Sequence, residues 1–121
     1  MSDHDAIEVI RDQVTVAHLR QLAESTFGDL VKAVVDVVGG AMAIGGTMHA
    51  DEEAVLIDLG CRQRDLWGIN LYPGQFGGND WIEFDSMINV RPGQENRSRD
   101  VEDAGTRRQI VEIIGRLVRD G

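Results

Sequence analysis

The alternation and spacing of apolar residues predict a short strand followed by a helix near the start of the chain. Apolar residues from Ile7 to Ile10 predict the strand. Thr15 can cap a helix, because its hydroxyl can accept a hydrogen bond from a free backbone N–H of the first turn. Five apolar residues then share one helical face: Val16, Leu19, Leu22, Ala23 and Phe27. Gly28 follows where a helix end favours a left-handed residue, so the helix is expected to stop there.

Residues 31–48 predict a hairpin that turns at Gly39-Gly40, a pair suited to two-residue turns. A two-residue loop fixes the register, with Val37 facing Met42, Val35 facing Ile44, Ala33 facing Gly46 and Val31 facing Met48. These pairs make one apolar face. The opposite face would carry four polar residues: Lys32, Asp36, Thr47 and His49.

Residues 50–64 fit two structures. Asp51-Glu52-Glu53 could open a helix, because acidic side chains favour its N-terminus. The apolar run that follows is also short enough for a strand turning at Gly60-Cys61, and we favour the strand. Residues 66–72 alternate as a strand that Pro73 ends.

Residues 81–91 carry the clearest pattern, which predicts a long strand. One face would be a core surface: Ile82, Phe84, Ser86, Ile88 and Val90. The other would be mainly polar: Trp81, Glu83, Asp85, Met87, Asn89 and Arg91. A polar loop follows, and apolar spacing predicts a last helix from about Asp103.

These elements predict an α+β domain, with a mostly antiparallel sheet of four to six strands and two helices packed on one face. Residues 1–6 are expected to be a disordered lead and residues 7–121 a single domain. If all strands join one sheet, its other face collects polar groups among large apolar ones. Such a face suits a ligand or a protein partner better than solvent.

Composition narrows the function classes. The 121-residue chain has a net charge of −9, which disfavours nucleic-acid binding, because phosphates require a basic surface. No apolar run is long enough to cross a bilayer. Cys61 is the only cysteine and cannot form an internal disulfide, so a reducing, cytoplasmic compartment is expected. No cofactor is expected.

Acidic residues and one histidine give a candidate catalytic or metal site. Glu83 and Asp85 are two apart on the predicted strand, so their carboxylates project the same way and could hold a divalent metal or divide acid and base roles. His49 and Asp51 add metal-ligand types, although their spacing matches no zinc motif. The alternative is a solvated strand face and a structural histidine, which we favour.

The arginine-rich loop after the predicted strand gives a candidate anion site. Its members are Arg91, Asn96, Arg97 and Arg99. Guanidinium groups match carboxylate and phosphate geometry, and the N-terminus of the last helix would add backbone donors. The alternative, which we favour, is that these arginines pair with acidic residues of the same loop and fix its conformation.

Several short sequence segments together resemble those of a small prokaryotic family of single-domain proteins of unknown function. They are residues 34–37, 49–52, 66–73, 81–89 and 96–103, and the likeness spans about residues 7–119. The resemblance implies one cytosolic prokaryotic domain. It implies no activity and no catalytic residues.

The function expected from the sequence is a non-enzymatic binding module and a homo-oligomer, using the open sheet face or the arginine loop for a small anionic ligand or protein partner. The alternative is a metal-assisted hydrolase built from His49, Asp51, Glu83 and Asp85, with Arg91 stabilising developing negative charge. A third hypothesis buries the same face in an obligate homodimer around Tyr72, Trp81 and Met87.

Overall fold

The structure, a computed structural model, describes residues 6–121 and is α+β. Its strands are β1 (Glu8–Ile10), β2 (Val14–Thr15), β3 (Val31–Asp36), β4 (Met42–Ile44), β5 (Leu66–Leu71), β6 (Ile82–Glu83) and β7 (Val118–Arg119). Its α-helices are α1 (Val16–Ser25), α2 (His49–Asp58) and α3 (Ala104–Leu117). The predicted lead, residues 1–6, lies outside the described residues except for Ala6.

Five strands form one antiparallel sheet in the order β1-β4-β3-β5-β6. The long central pair, β3 with β5, runs from Val31 opposite Leu71 to Asp36 opposite Leu66. The remaining strands, β2 and β7, make a separate parallel pair in which Val14 lies opposite Val118. Among the described helices, none is long and apolar enough to cross a membrane.

The main hydrophobic core lies between one face of the sheet and helices α1 and α3. Apolar side chains of both helices share a cluster with alternate residues of the central strands. The fully buried members include Leu19, Ala33, Val35, Ile69 and Ile114. Their period of two along the strands matches the pleat of a sheet with one face in the core.

The remaining α-helix, α2, packs on the opposite side of the sheet from α1 and α3. Leu56 of α2 forms a second cluster with Val34, Ala43 and Leu66, which point away from the main core. The α+β class and the antiparallel sheet are therefore confirmed. The expectation of a bare second face is wrong, because α2 covers part of it.

The first and last helices begin where the sequence predicts. The Thr15 hydroxyl accepts a hydrogen bond from the backbone N–H of His18, and the Asp103 carboxylate accepts one from Thr106. Gly28 adopts a φ of 96° just after α1, which a residue with a side chain would adopt only with strain. Phe27 was predicted on the apolar face of the first helix, but it is exposed and lies beneath Lys32 instead of in the core.

The hairpin turns where expected, but its predicted register is wrong by two residues. Val35 lies opposite Met42, and Ala33 opposite Ile44. The loop has four residues, 37–40, because the backbone N–H groups of Asp36 and Gly40 bond to Ala41 and Asp36, respectively. The Asp36 carboxylate also accepts the Val38 N–H at 3.0 Å. A shift of two keeps the side chains of β3 and β4 on their predicted faces, but β4 ends at Ile44, so the pairs predicted beyond it do not form.

Residues 49–58 form helix α2, so the strand favoured for this segment is wrong. The acidic first turn, with Asp51 and Glu52, is the feature that indicated the helix. His49, Glu52 and Leu56 are buried at helical spacing and face the sheet. A run of apolar residues alone does not distinguish a strand from a buried helix.

The long strand predicted for residues 81–91 is also wrong, because β6 ends at Glu83. Beyond Glu83, the side chain of Asn89 bonds to β5 in place of a strand backbone. The Asn89 side chain accepts the Gly68 N–H at 2.8 Å and donates to the Gly68 carbonyl at 2.9 Å, as a strand backbone would. A Cβ on Gly68 would lie 2.6 Å from the Ser86 side chain, so this approach requires glycine.

We expect Asn89→Ala to lower the free energy of unfolding by about 2–4 kcal/mol, because it leaves buried backbone groups of Gly68 without partners. Urea unfolding followed by far-UV circular dichroism measures the change. The matched control is Asn79→Ala, on an exposed loop, with an expected change within about 0.5 kcal/mol. Equal effects of the two substitutions would contradict the strand-like role of Asn89.

Candidate functional site

A row of polar residues crosses three strands on the α2 side of the sheet. Lys32 of β3 lies opposite Asn70 of β5, which in turn lies opposite Glu83 of β6. Other polar side chains gather around this row. We call the whole group the polar cluster: Lys32, His49, Asn70, Tyr72, Glu83, Asp85 and Arg99.

Glu83 is held at one oxygen by two donors. The Asn70 amide donates to Glu83 Oε1 at 2.8 Å, and the Tyr72 hydroxyl donates to the same oxygen at 3.1 Å. Glu83 is exposed, and its Oε2 accepts no hydrogen bond from a described residue. The carboxylate is thus oriented by its neighbours while one oxygen remains accessible.

His49 lies under the cluster at the N-terminus of α2. Its Nε2 is 2.8 Å from the carbonyl oxygen of Ile69, so in the neutral ring this nitrogen carries the proton and donates. Burial lowers the pKa of His49, and the nearby Lys32 charge lowers it further, although the Ile69 carbonyl and Asp85 act in the opposite direction. His49 is therefore neutral at pH 7 and holds β5 to α2.

An ion pair joins the cluster to the arginine-containing loop. Arg99 Nε donates to Asp85 Oδ1 at 2.6 Å, and both side chains are about half exposed. The Asn70 amide also donates to the Asp85 carbonyl at 3.2 Å. Asp85 is no longer on a strand, and these contacts keep it beside Glu83 after β6 has ended.

An open depression of about 410 Å³ lies next to Glu83. It is lined by Tyr72, Gln75, Asn79, Asp80, Ile82 and Glu83. The pKa of Tyr72 is raised, first by partial burial and then by its bond to Glu83 and by the negative charges of Glu83, Asp29 and Asp85. The depression is therefore a polar and electronegative surface.

The structure brings Glu83, Asp85 and His49 to one region but gives the metal-assisted hydrolase no support. Within residues 6–121, no group of three or more His, Cys, Asp or Glu side chains could hold a metal ion. His49 uses Nε2 on a backbone carbonyl, and Asp85 is paired with Arg99. Asp51, the fourth expected ligand, lies in the first turn of α2.

Two residues of the predicted anion site are anchors inside the protein. The Arg91 guanidinium lies over the Trp67 ring at 4.7 Å, donates to the carbonyls of Ile88 and Leu66, and forms an ion pair with Glu53 at 3.5 Å. The buried Asn96 amide donates to the carbonyls of Asn89 and Asp100.

The other two, Arg97 and Arg99, are exposed on the loop. Here Glu102 occupies the position that an external anion would take. Its Oε2 accepts hydrogen bonds from the N–H groups of Arg97 and Ser98 and from the Ser98 hydroxyl, each at 2.8 Å. The Ser98 bonds are the main reason that the pKa of Glu102 is lowered.

Glu52 is a fully buried carboxyl, although the sequence indicated only an acidic residue that could open a helix. Its Oε2 accepts the Gly46 N–H at 3.0 Å, and its Oε1 has no partner among the described residues. Burial raises the pKa of Glu52 well above 4.5. The spacing of His49, Glu52 and Leu56 on one helical face would have identified it once α2 was recognised as a helix.

Asn70 and Tyr72 belong to the strand predicted for residues 66–72 but were not singled out as residues of a ligand site. The depression residues Gln75, Asn79 and Asp80 come from a segment that composition marks only as a loop. The register in which β5 pairs with β6 is the information that was needed, because it places Asn70 opposite Glu83.

We expect Glu52→Gln to stabilise the protein relative to the natural chain, increasingly so as the pH rises from 5 to 8. The folded state holds the Glu52 proton more tightly than the unfolded state, so its contribution is full below pH 4.5 and is lost as the pH rises through the folded pKa. Thermal melting at several pH values measures the difference, with exposed Glu112→Gln as the control. A difference that does not change with pH would contradict a raised pKa.

We expect Glu102→Gln to loosen the loop, because a neutral amide oxygen is a weaker acceptor for three donors than a carboxylate. The amides of Arg97 and Ser98 should exchange with deuterium at least several-fold faster, while amides of β3 keep their rates. Hydrogen exchange followed by NMR measures both sets. Unchanged rates at Arg97 and Ser98 would show that Glu102 does not hold the loop.

Comparisons with known proteins give a family but no activity. The comparison with curated proteins found no match, and the comparison with solved structures found none either. Residues 8–117 match the family described as protein of unknown function (DUF5674). This match covers nearly all of the 121 residues and agrees with the resemblance described from the sequence. The chain belongs to the DUF5674 family.

Proposed function

We propose that this protein is a non-enzymatic binding module whose ligand occupies the polar cluster, where the polar sheet face meets the arginine-containing loop. One observation carries the proposal: Asn70 and Tyr72 both donate to Oε1 of Glu83, so Oε2 can accept from a ligand, and Glu83 lines a depression of about 410 Å³. Volumes of about 300–1,000 Å³ are typical of small-molecule sites.

The fixed geometry of the cluster supports binding. Arg99 and Asp85 hold each other, and Asn70 bridges Glu83 and the Asp85 carbonyl. Charged groups already oriented by internal bonds lose little side-chain entropy when a ligand arrives. Anion binding by Arg91, Asn96, Arg97 and Arg99 stays a prediction, in which the exposed Arg97 and Arg99 would make the contact.

The expected homo-oligomer also stays a prediction. It was based on an uncovered sheet face, and α2 now covers part of that face. Light scattering coupled to size-exclusion chromatography measures the oligomeric state directly.

We test the binding module by NMR, using the ¹⁵N-labelled protein and separate mixtures of anionic, cationic and neutral polar fragments. At least one class should shift the amide signals of Tyr72, Glu83 and Asp85 in a saturable manner. Glu83→Gln should weaken that binding at least several-fold, whereas Glu112→Gln on α3 should leave it unchanged. If no class shifts the cluster signals, the proposed function is wrong.

A further inference from the structure

The charges around the depression beside Glu83 indicate which ligand it takes. Two carboxylates, Asp80 and Glu83, are among its six lining residues, and none of the six is basic. Glu83 Oε2 accepts no bond from a described residue, so it can bind an incoming donor. Asp29 and Asp85 add negative charge near Tyr72, which is visible in their effect on the pKa of Tyr72, after those of burial and Glu83.

The two basic side chains of the polar cluster are turned to other partners. Lys32 Nζ lies 5.2 Å from the centre of the Phe27 ring, and Arg99 is bonded to Asp85 at 2.6 Å. Neither lines the depression. The residues that line the depression therefore carry negative formal charge and no positive formal charge, and the whole chain has a net charge of −9.

The remaining lining groups suit an organic cation better than a metal ion. Gln75 and Asn79 offer amide oxygens, and Ile82 and the Tyr72 ring offer apolar surface for a short alkyl chain. A divalent cation would need several converging oxygen ligands, and no group of three or more acidic, histidine or cysteine side chains meets that need in residues 6–121.

We propose that the depression formed by Tyr72, Gln75, Asn79, Asp80, Ile82 and Glu83 binds an organic cation, an alkylammonium or alkylguanidinium group, with Glu83 Oε2 and Asp80 as its counter-charges. This inference rests on the proposed function and names its ligand class. The nitrogen donates hydrogen bonds to Glu83 Oε2, and the alkyl chain lies along Ile82. Asn70, buried behind Glu83, is a positioning residue that keeps Oε1 occupied.

The test uses four probes of nearly equal size: butylammonium, butylguanidinium, butanol and butyrate. Each is titrated into the ¹⁵N-labelled full chain at constant ionic strength. The two cations should give saturable shifts of the Tyr72 and Glu83 amides and of the Gln75 and Asn79 side-chain amides. Butanol and butyrate should bind there at least tenfold more weakly.

Substitutions of single carboxylates test which negative charge contributes to cation binding. Glu83→Gln and, separately, Asp80→Asn should each weaken butylguanidinium binding at least several-fold, and Glu112→Gln should not change it. Asp80 is exposed on a loop, so its variant keeps the test valid if Glu83→Gln impairs folding. Unchanged cation affinity in the well-folded Asp80→Asn and Glu83→Gln variants would overturn the inference.

The outcomes separate this inference from the proposed function. If butyrate or butanol binds the same residues as tightly as the cations, the ligand class is wrong and the binding module stands. If no fragment of any class shifts the cluster signals, both are wrong. Weaker binding of both cations at higher salt, with butanol unaffected, would support the electrostatic basis of the site.

Discussion

The pairing of the Asn89 side chain with the backbone of Gly68 is the constraint on which the site depends. β6 ends after two residues, and the two Asn89–Gly68 hydrogen bonds hold the following segment against β5 on the α2 side of the sheet. The Asn89 amide also donates to the carbonyl of Arg99 at 3.0 Å, which holds Arg99 within reach of Asp85.

The parts of the fold that follow from local chemistry could be predicted from the sequence. The caps at Thr15 and Asp103 and the alternation within β3 and β5 each depend on residues close in the chain. The hairpin register could not be predicted, because Asp36 and Ala41 close a four-residue loop that Gly39-Gly40 alone does not specify. For residues 81–91 the alternation misled, because an asparagine that replaces strand pairing looks like any polar residue facing solvent.

Much of the candidate site was visible as a set of polar positions, but its geometry depends on strand pairing. Glu83, Asp85 and His49 were identified from residue type and spacing. Their contacts differ from those of the metal-site hypothesis, since His49 ties α2 to the Ile69 carbonyl and Asp85 pairs with a loop arginine. The contacts of Arg91 could not be predicted from residue type and spacing either. Its guanidinium lies on the Trp67 ring and not in solvent, and only the packed structure reveals that ring as its partner.

The parallel pair of β2 and β7 has a consequence for the order in which the molecule is built. Val14 and Val118 are about as far apart in the chain as any paired residues, and β2 leads directly into α1. During synthesis, β2 therefore has no strand partner until Val118 and Arg119 have left the ribosome. The hairpin of β3 and β4 joins strands that are close in the chain, so it can form before β2 pairs with β7.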